Sequence, residues 1–347
     1  MEYPSKHPVN DGTFAVGILP DWTATGATGN VLHHRARDEG TDMLEGDGAN
    51  RGGVAGLSQA TVPFETLRPA QQTQPFVFNS PHSGRVYPDV FLDQSRLDPK
   101  SIRRSEDHYV DELFSGVVQQ GAPMLVANFP RAWLDVNREP YELDPRMFDG
   151  PLPSHANIGS LRVAGGLGTI PRLVAENMDI YKGRLSVEEG LSRIEQVYRP
   201  YHVSLRKLIA QTHALFGRAV LIDCHSMPAS VRIAGGARRP DIIIGDRYGA
   251  SASHDLSRVA VSLLSALGYH VVRNKPYAGG FITEHYGRPG RGLHALQIEI
   301  NRGLYVNEST LERTAGFDLL KADLNDFAAK MMAYVRDDLA DGRLAAE

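Results

Sequence analysis

From about residue 76 onward, short apolar runs alternate with longer stretches that carry helical spacing. The runs predict strands at 76–79, 123–127 (PMLVA), 131–136, 219–224 (AVLIDC), 241–245 (DIIIG), 269–273 (YHVVR) and 294–300 (HALQIEI). Helices are predicted at 106–120, 187–215, 250–267 and 310–338. In "VYRPYHVSLRKLIA" the residues Val197, Tyr201, Leu205 and Leu208 keep helical spacing, and Pro200 marks a kink or a break. Strands alternating with helices predict one α/β domain with a parallel or mixed central sheet flanked by helices, occupying residues 71–347. Residues 1–70 read differently. Stretches such as "TGATGN" and "DEGTDMLEGDGANRGGVAG" lack periodicity and predict a poorly ordered or loosely packed extension.

Composition narrows the classes. A formal net charge of −4 gives no global basic field for nucleic acid, and no apolar run is long enough to span a membrane. The N-terminus lacks the pattern of a secretory signal. With one cysteine, Cys224, no intramolecular disulfide can form. That is compatible with a cytoplasmic protein in a reducing compartment.

Candidate chemistry sits where strands meet loops. In "FVFNSPHSGRVYP" a buried strand breaks into a turn that carries His82. In "RRSEDHYVDELFSGVV" Asp107 and Asp111 lie four apart on the predicted helix, with Ser105 as its expected cap. In "AVLIDCHSMP" strand alternation puts Asp223 and His225 on one face and Cys224 on the other. In "LHALQIEINRGLY" Glu299 projects near the end of a core strand. "FPRAWLDVNREPYELDPRMF" adds Asn137 and Arg138. Arg131, Arg138, Arg288 and Arg291 then suggest a pocket for an anionic substrate, because a guanidinium fork matches a carboxylate.

Together His82, Asp107 and His225 suit a three-ligand catalytic zinc site with an open fourth position. Glu299 is the carboxylate able to take a proton from water, and an arginine, Arg138 among the candidates, would hold a substrate carboxylate or an oxyanion. Asp223 and Asp111 would stand behind the ligands and orient them. A cysteine hydrolase built on Cys224 is the rival chemistry, and alternation argues against it. A metal-binding protein without turnover is a further alternative.

Five segments, "NSPHSGRVYP", "SEDHYVDELF", "WLDVNREPYELDPRMF", "LIDCHSMP" and "LHALQIEINRGLY", resemble the N-formylglutamate amidohydrolase family in sequence and order. The resemblance covers roughly residues 75 to 335. It implies a mixed α/β sheet distantly related to zinc carboxypeptidases. It also implies hydrolysis of N-formyl-L-glutamate to formate and L-glutamate, the last step of one histidine degradation route. By resemblance His82 and His225 fall on metal-ligand positions, Glu299 on that of the general base, and Asn137–Arg138 on a carboxylate-binding pair. The carboxypeptidase motif His-x-x-Glu is not kept, because Arg85 stands three residues after His82. The carboxylate ligand must come from elsewhere, from Asp107, Glu106 or Asp111, with Asp107 the first choice.

Overall fold

The computed structural model describes residues 62–231 and 238–341, with side chains as far as 338. Most of the expected N-terminal extension lies outside the described residues. The last part of it does not: β1 (Phe64–Leu67) enters the main sheet, ahead of the expected boundary at residue 71. Then follow β2 (Phe76–Ser80), α1 (Asp89–Gln94), α2 (Val110–Phe114) and β3 (Met124–Ala127). A middle region holds α3 (Leu161–Ala164) and the ribbon of β4 (Leu173–Ala175) and β5 (Met178–Asp179). Next come α4 (Val187–Arg193), α5 (Arg199–Phe216), β6 (Ala219–Met227), β7 (Ile242–Gly245), α6 (His254–Ala266) and β8 (Val271–Arg273). The last elements are α7 (Phe281–Tyr286), β9 (Leu293–Asn301), the short pair β10 (Val306–Asn307) and β11 (Glu312–Arg313), and α8 (Gly316–Asp341). No helix among the described residues is long and apolar enough to cross a membrane.

The main sheet has the order β1-β3-β2-β6-β9-β7-β8. β3, β2, β6 and β9 run parallel; β1 joins antiparallel to β3, and β7 antiparallel to β9. The sheet is therefore mixed, as the pattern predicts. β6 and β9 are the central pair, nine residues each and buried along their whole length. β6 opens on the apolar run Ala219–Ile222, while in β9 Leu296, Ile298 and Ile300 alternate with Gln297, Glu299 and Asn301. On one face Phe76, Phe78, Val220, Ile222, Cys224 and Ile298 pack with residues of α2, α6 and α8. On the other, Tyr201 of α5 reaches Asn79 of β2, its hydroxyl 2.6 Å from Oδ1. Asp223 and His225 of β6 and Gln297 and Glu299 of β9 alternate away from that core, so the sheet itself separates an apolar face from a polar one.

Three sequence expectations need correction. The run 131–136 is not a strand. The N–H groups of Trp133 and Leu134 both turn back to the carbonyl of Pro130 (3.0 and 3.3 Å), and that of Asp135 goes to Thr169. Trp133, Leu134 and Val136 are buried as a turn, so their apolar character reports burial and not pairing. The helix expected at 106–120 shrinks to α2 plus a 3-10 turn, Ser115–Val117. Tyr109, with φ +58°, breaks the chain just before it, so Asp107 precedes the helix and Ser105 does not cap it. The helix expected at 310–338 begins only at Gly316. By contrast the 187–215 expectation holds as one rod. A π turn at Ile194–Tyr198 absorbs Pro200 at the start of α5.

The turn that follows β2 is packed against backbone. A Cβ on Gly84 would lie 2.0 Å from the carbonyl oxygen of Phe129, which cannot give way as a side chain would. Gly84→Ala should therefore lower stability by ~1–3 kcal/mol, read as a drop of several degrees in a thermal melt. An unchanged melt would show that this turn is not held as tightly as the contact implies.

Candidate active site

The site lies at the carboxyl ends of the parallel strands β2, β6 and β9, where open α/β sheets place their ligands. His82 stands in the turn two residues beyond β2. Asp107 precedes α2, its N–H bonded to the His82 carbonyl at 3.0 Å. His225 lies within β6 and is paired in register with Glu299 of β9. That register puts both side chains on the same face, one strand apart.

The three residues His82, Asp107 and His225 are buried, and one donor atom from each lies within 4.8 Å of the others. His225 Nδ1 is 3.1 Å from Asp107 Oδ2, and His82 Nδ1 is 3.5 Å from the same oxygen. Behind them His82 Nε2 meets Asp135 at 2.8 Å, and His225 Nε2 meets Asp223 at 2.8 Å. Each imidazole thus uses Nε2 on a carboxylate, which fixes its tautomer and turns Nδ1 toward Asp107. His82 Nδ1 has no hydrogen-bond partner among the described residues, although it is buried. An orphaned nitrogen of this kind needs an explanation, and a cation supplies one. Two ligands about 2 Å from a tetrahedral zinc stand roughly 3.3 Å apart, which the observed spacings bracket. The group could hold a metal ion, and its nitrogen and oxygen donors fit one.

Of the three carboxylates left open by the sequence, Asp107 is the one that meets both histidines. Glu106 turns away to Arg103, His108 and Tyr87. Asp111 faces Arg85, and its carboxylate touches none of the three, which corrects the expectation that it stands behind a ligand. Its other oxygen is buried without a partner among the described residues, and burial raises its pKa. Asp223 does stand behind His225, and Asn79 donates to its second oxygen at 2.8 Å. Asp135 takes the matching place behind His82. It went unassigned in the sequence because it falls in a run that reads as apolar strand.

Charge is balanced around Asp107. Burial alone would raise its pKa, but the neighbouring imidazoles of His225 and His82 hold it well below the ordinary range. Arg302 Nη2 adds a contact at 3.2 Å, and Ser226 Oγ donates at 3.1 Å. Arg302 was also missed in the sequence; its signal was its place directly after β9, in "EINRG". Glu299 accepts from Gln297 Nε2 at 2.8 Å, and burial pushes its pKa up to about 7 against the pull of His225. A cation beside it would draw that value down.

A cavity of about 700 Å³ opens over these groups, lined by His82, His225 and Glu299 among others. Arg131 and Arg138 line it as expected, both drawn to Asp135 (3.1 and 3.4 Å). Arg138 also donates to the carbonyls of Leu167 and Asn137, each at 2.8 Å. Asn137 lines the cavity too. Its Oδ1 accepts from the Ile282 N–H, and its Nδ2 faces His225 and Asp223. Arg288 and Arg291 do not line it. They are exposed and precede the first residue of β9, about 20 Å of extended chain from Glu299. The sequence placed them beside the right strand but at its wrong end. Cys224 packs in the apolar core on the far face, and burial raises its thiol pKa, so it takes no part here.

A mixed α/β sheet with a buried His–Asp–His group and a carboxylate across a cavity defines a candidate hydrolytic centre. The comparisons name its kind. The N-formylglutamate amidohydrolase family model matches residues 74–306, and the chain belongs to that family. N-formylglutamate deformylase of Pseudomonas putida is 29% identical over 238 residues, covering 68% of this chain and 83% of that protein. Its counterpart in Pseudomonas aeruginosa is 28% identical over 272 residues, covering 77% and 96%. A crystal structure of N-formylglutamate amidohydrolase from Ralstonia eutropha JMP134 superposes with a TM-score of 0.75 at 35% identity, covering 79% and 99%.

The raised Glu299 pKa has a consequence for stability. Its unfolded value is the lower one, so folding favours the protonated carboxyl. That contribution is complete below the ordinary carboxylate pKa and is lost as pH rises toward 7. In protein freed of metal by a chelator, Glu299→Gln should raise the melting temperature more at pH 8 than at pH 5. An equal shift at both pH values would mean that Glu299 is not forced to carry a buried charge.

Proposed function

We propose that this protein hydrolyses the amide of N-formyl-L-glutamate, giving formate and L-glutamate, with a divalent metal ion held by His82, Asp107 and His225. The observation that carries the metal is the pair of imidazoles whose Nε2 atoms are tied to Asp135 and Asp223 while both Nδ1 atoms face Asp107. The substrate comes from the deformylase and amidohydrolase relatives. Zinc suits this donor set best, and when bound it would polarise the formyl carbonyl and lower the pKa of a water.

The chain's own residues do the rest. Glu299, buried across from His225, is the general base: it takes the proton from the attacking water and passes it to the leaving amine. Burial raises its pKa and a bound cation would lower it, which favours the carboxylate form that takes the proton. Arg131 and Arg138, held together by Asp135, place positive charge over the cavity for the developing oxyanion. Arg138 has N–H donors left over for the substrate α-carboxylate, with the Asn137 amide beside it.

The test is formate release from N-formyl-L-glutamate. Activity should vanish with a chelator and return with zinc. In the same assay Glu299→Gln should keep its metal and lose kcat by about 10²- to 10⁴-fold. Undiminished turnover after complete removal of metal would contradict the metal role, and a Glu299→Gln enzyme near full kcat would contradict the base.

A further inference from the structure

The substrate proposed above has two carboxylates, and the α-carboxylate accounts for one. Five arginines line the cavity: Arg104, Arg131, Arg138, Arg162 and Arg302. Four of them already meet acids. Arg131 and Arg138 are on Asp135, Arg162 is 3.5 Å from Glu142, and Arg302 is on Asp107. Arg104 is the exception. Its guanidinium donates to the thioether of Met178 at 3.7 Å, and no carboxylate among the described residues pairs with it. A thioether is a weak acceptor and gives up such a contact at little cost.

The main chain of Arg104 is nevertheless fixed. Its carbonyl accepts from Arg302 Nη1 at 3.0 Å, and Arg302 grips Asp107 with its other nitrogen. Arg104 also precedes Asp107 by three residues, so one short segment carries both a proposed metal ligand and this guanidinium. Ser105, beside it in the same wall, has a buried hydroxyl with no partner among the described residues. Leu167, Leu173 and Val174 supply apolar wall for methylene groups. Met178 belongs to the β4–β5 ribbon, so Arg104 stands between the catalytic group and that ribbon.

We propose that Arg104 receives the side-chain carboxylate of the substrate and so selects an acidic side chain. The inference rests on the reading of the site as an N-formyl amino acid amidohydrolase. From formyl carbon to side-chain carboxyl carbon N-formylglutamate spans five bonds, roughly 6 Å when extended. A carboxylate that far from the scissile bond needs a cation at the cavity wall and not at its floor. Arg131 and Arg302 are held at the floor by Asp135 and Asp107. The carboxylate would replace Met178 as the partner of a fork that can bind it through two parallel hydrogen bonds.

The experiment compares N-formyl-L-glutamate with N-formyl-L-glutamine, which has the same shape and no side-chain charge, in zinc-loaded wild type, Arg104→Gln and Arg104→Lys. Wild type should prefer the acid in kcat/KM by roughly 10- to 100-fold, the range of a hydrogen bond to a charged group. Arg104→Gln should lose that preference through a raised KM for the acid, with its kcat and its rate on the amide little changed. Arg104→Lys should keep part of the preference, because it restores charge without the fork. Selectivity retained by Arg104→Gln would overturn the inference, and so would a wild type that uses both substrates equally. A wild type that cleaves neither would instead overturn the amidohydrolase reading beneath it.

Discussion

Everything at the carboxyl edge of this sheet depends on how four buried carboxylates and two imidazoles are neutralised. Asp135, His82, Asp107, His225 and Asp223 form one chain of alternating acid and base, with contacts between 2.8 and 3.5 Å. Glu299 closes it from β9. Isolated charges at such depth would be very costly, so each acid is placed where an imidazole, an arginine or an amide meets it. The chain also has a direction. The outer acids hold the Nε2 atoms, and both Nδ1 atoms converge on Asp107. The weakest link, His82 Nδ1 to Asp107, marks where an ion would complete the arrangement.

That chain can exist because of the backbone under it. β6 and β9 run parallel in a register that faces His225 with Glu299, and the alternation that turns these two inward turns Cys224 and Ile298 into the apolar core. A slip of one residue would exchange the polar edge for the apolar one. Asp107 and His82 come from turns, yet both turns are bound to the sheet or to each other: Asp107 through its N–H to His82, and the His82 turn through the close approach of Gly84 to Phe129. The site therefore has the rigidity of the strands although half of it sits outside them.

The central strands were legible because β6 opens on an apolar run and β9 alternates apolar with polar residues. The sharing of one face by Asp223 and His225 was legible because strand alternation has no freedom. Residues 131–136 misled because burial, not pairing, makes Trp133, Leu134 and Val136 apolar, and that error hid Asp135. The expected helix at 106–120 failed for a backbone reason, the left-handed Tyr109, which no periodicity reveals. It made Asp111 look like a companion of Asp107 when it belongs to Arg85. The arginines were the least legible. Arg288 and Arg302 flank the same strand, and composition cannot say which end of it meets the site. Which guanidiniums are already committed to acids is a matter of three-dimensional pairing alone.

The central claim is that His82 and His225 present their Nδ1 atoms, with Asp107, to one metal ion. Anomalous diffraction at the zinc edge, from crystals grown with zinc, tests it most directly. A single strong peak should appear, bounded by His82 Nδ1, His225 Nδ1 and an Asp107 oxygen, with both Nε2 atoms still on Asp135 and Asp223. A zinc-loaded crystal with no peak there, or with the metal bound through Nε2 after the imidazoles leave those carboxylates, would contradict it.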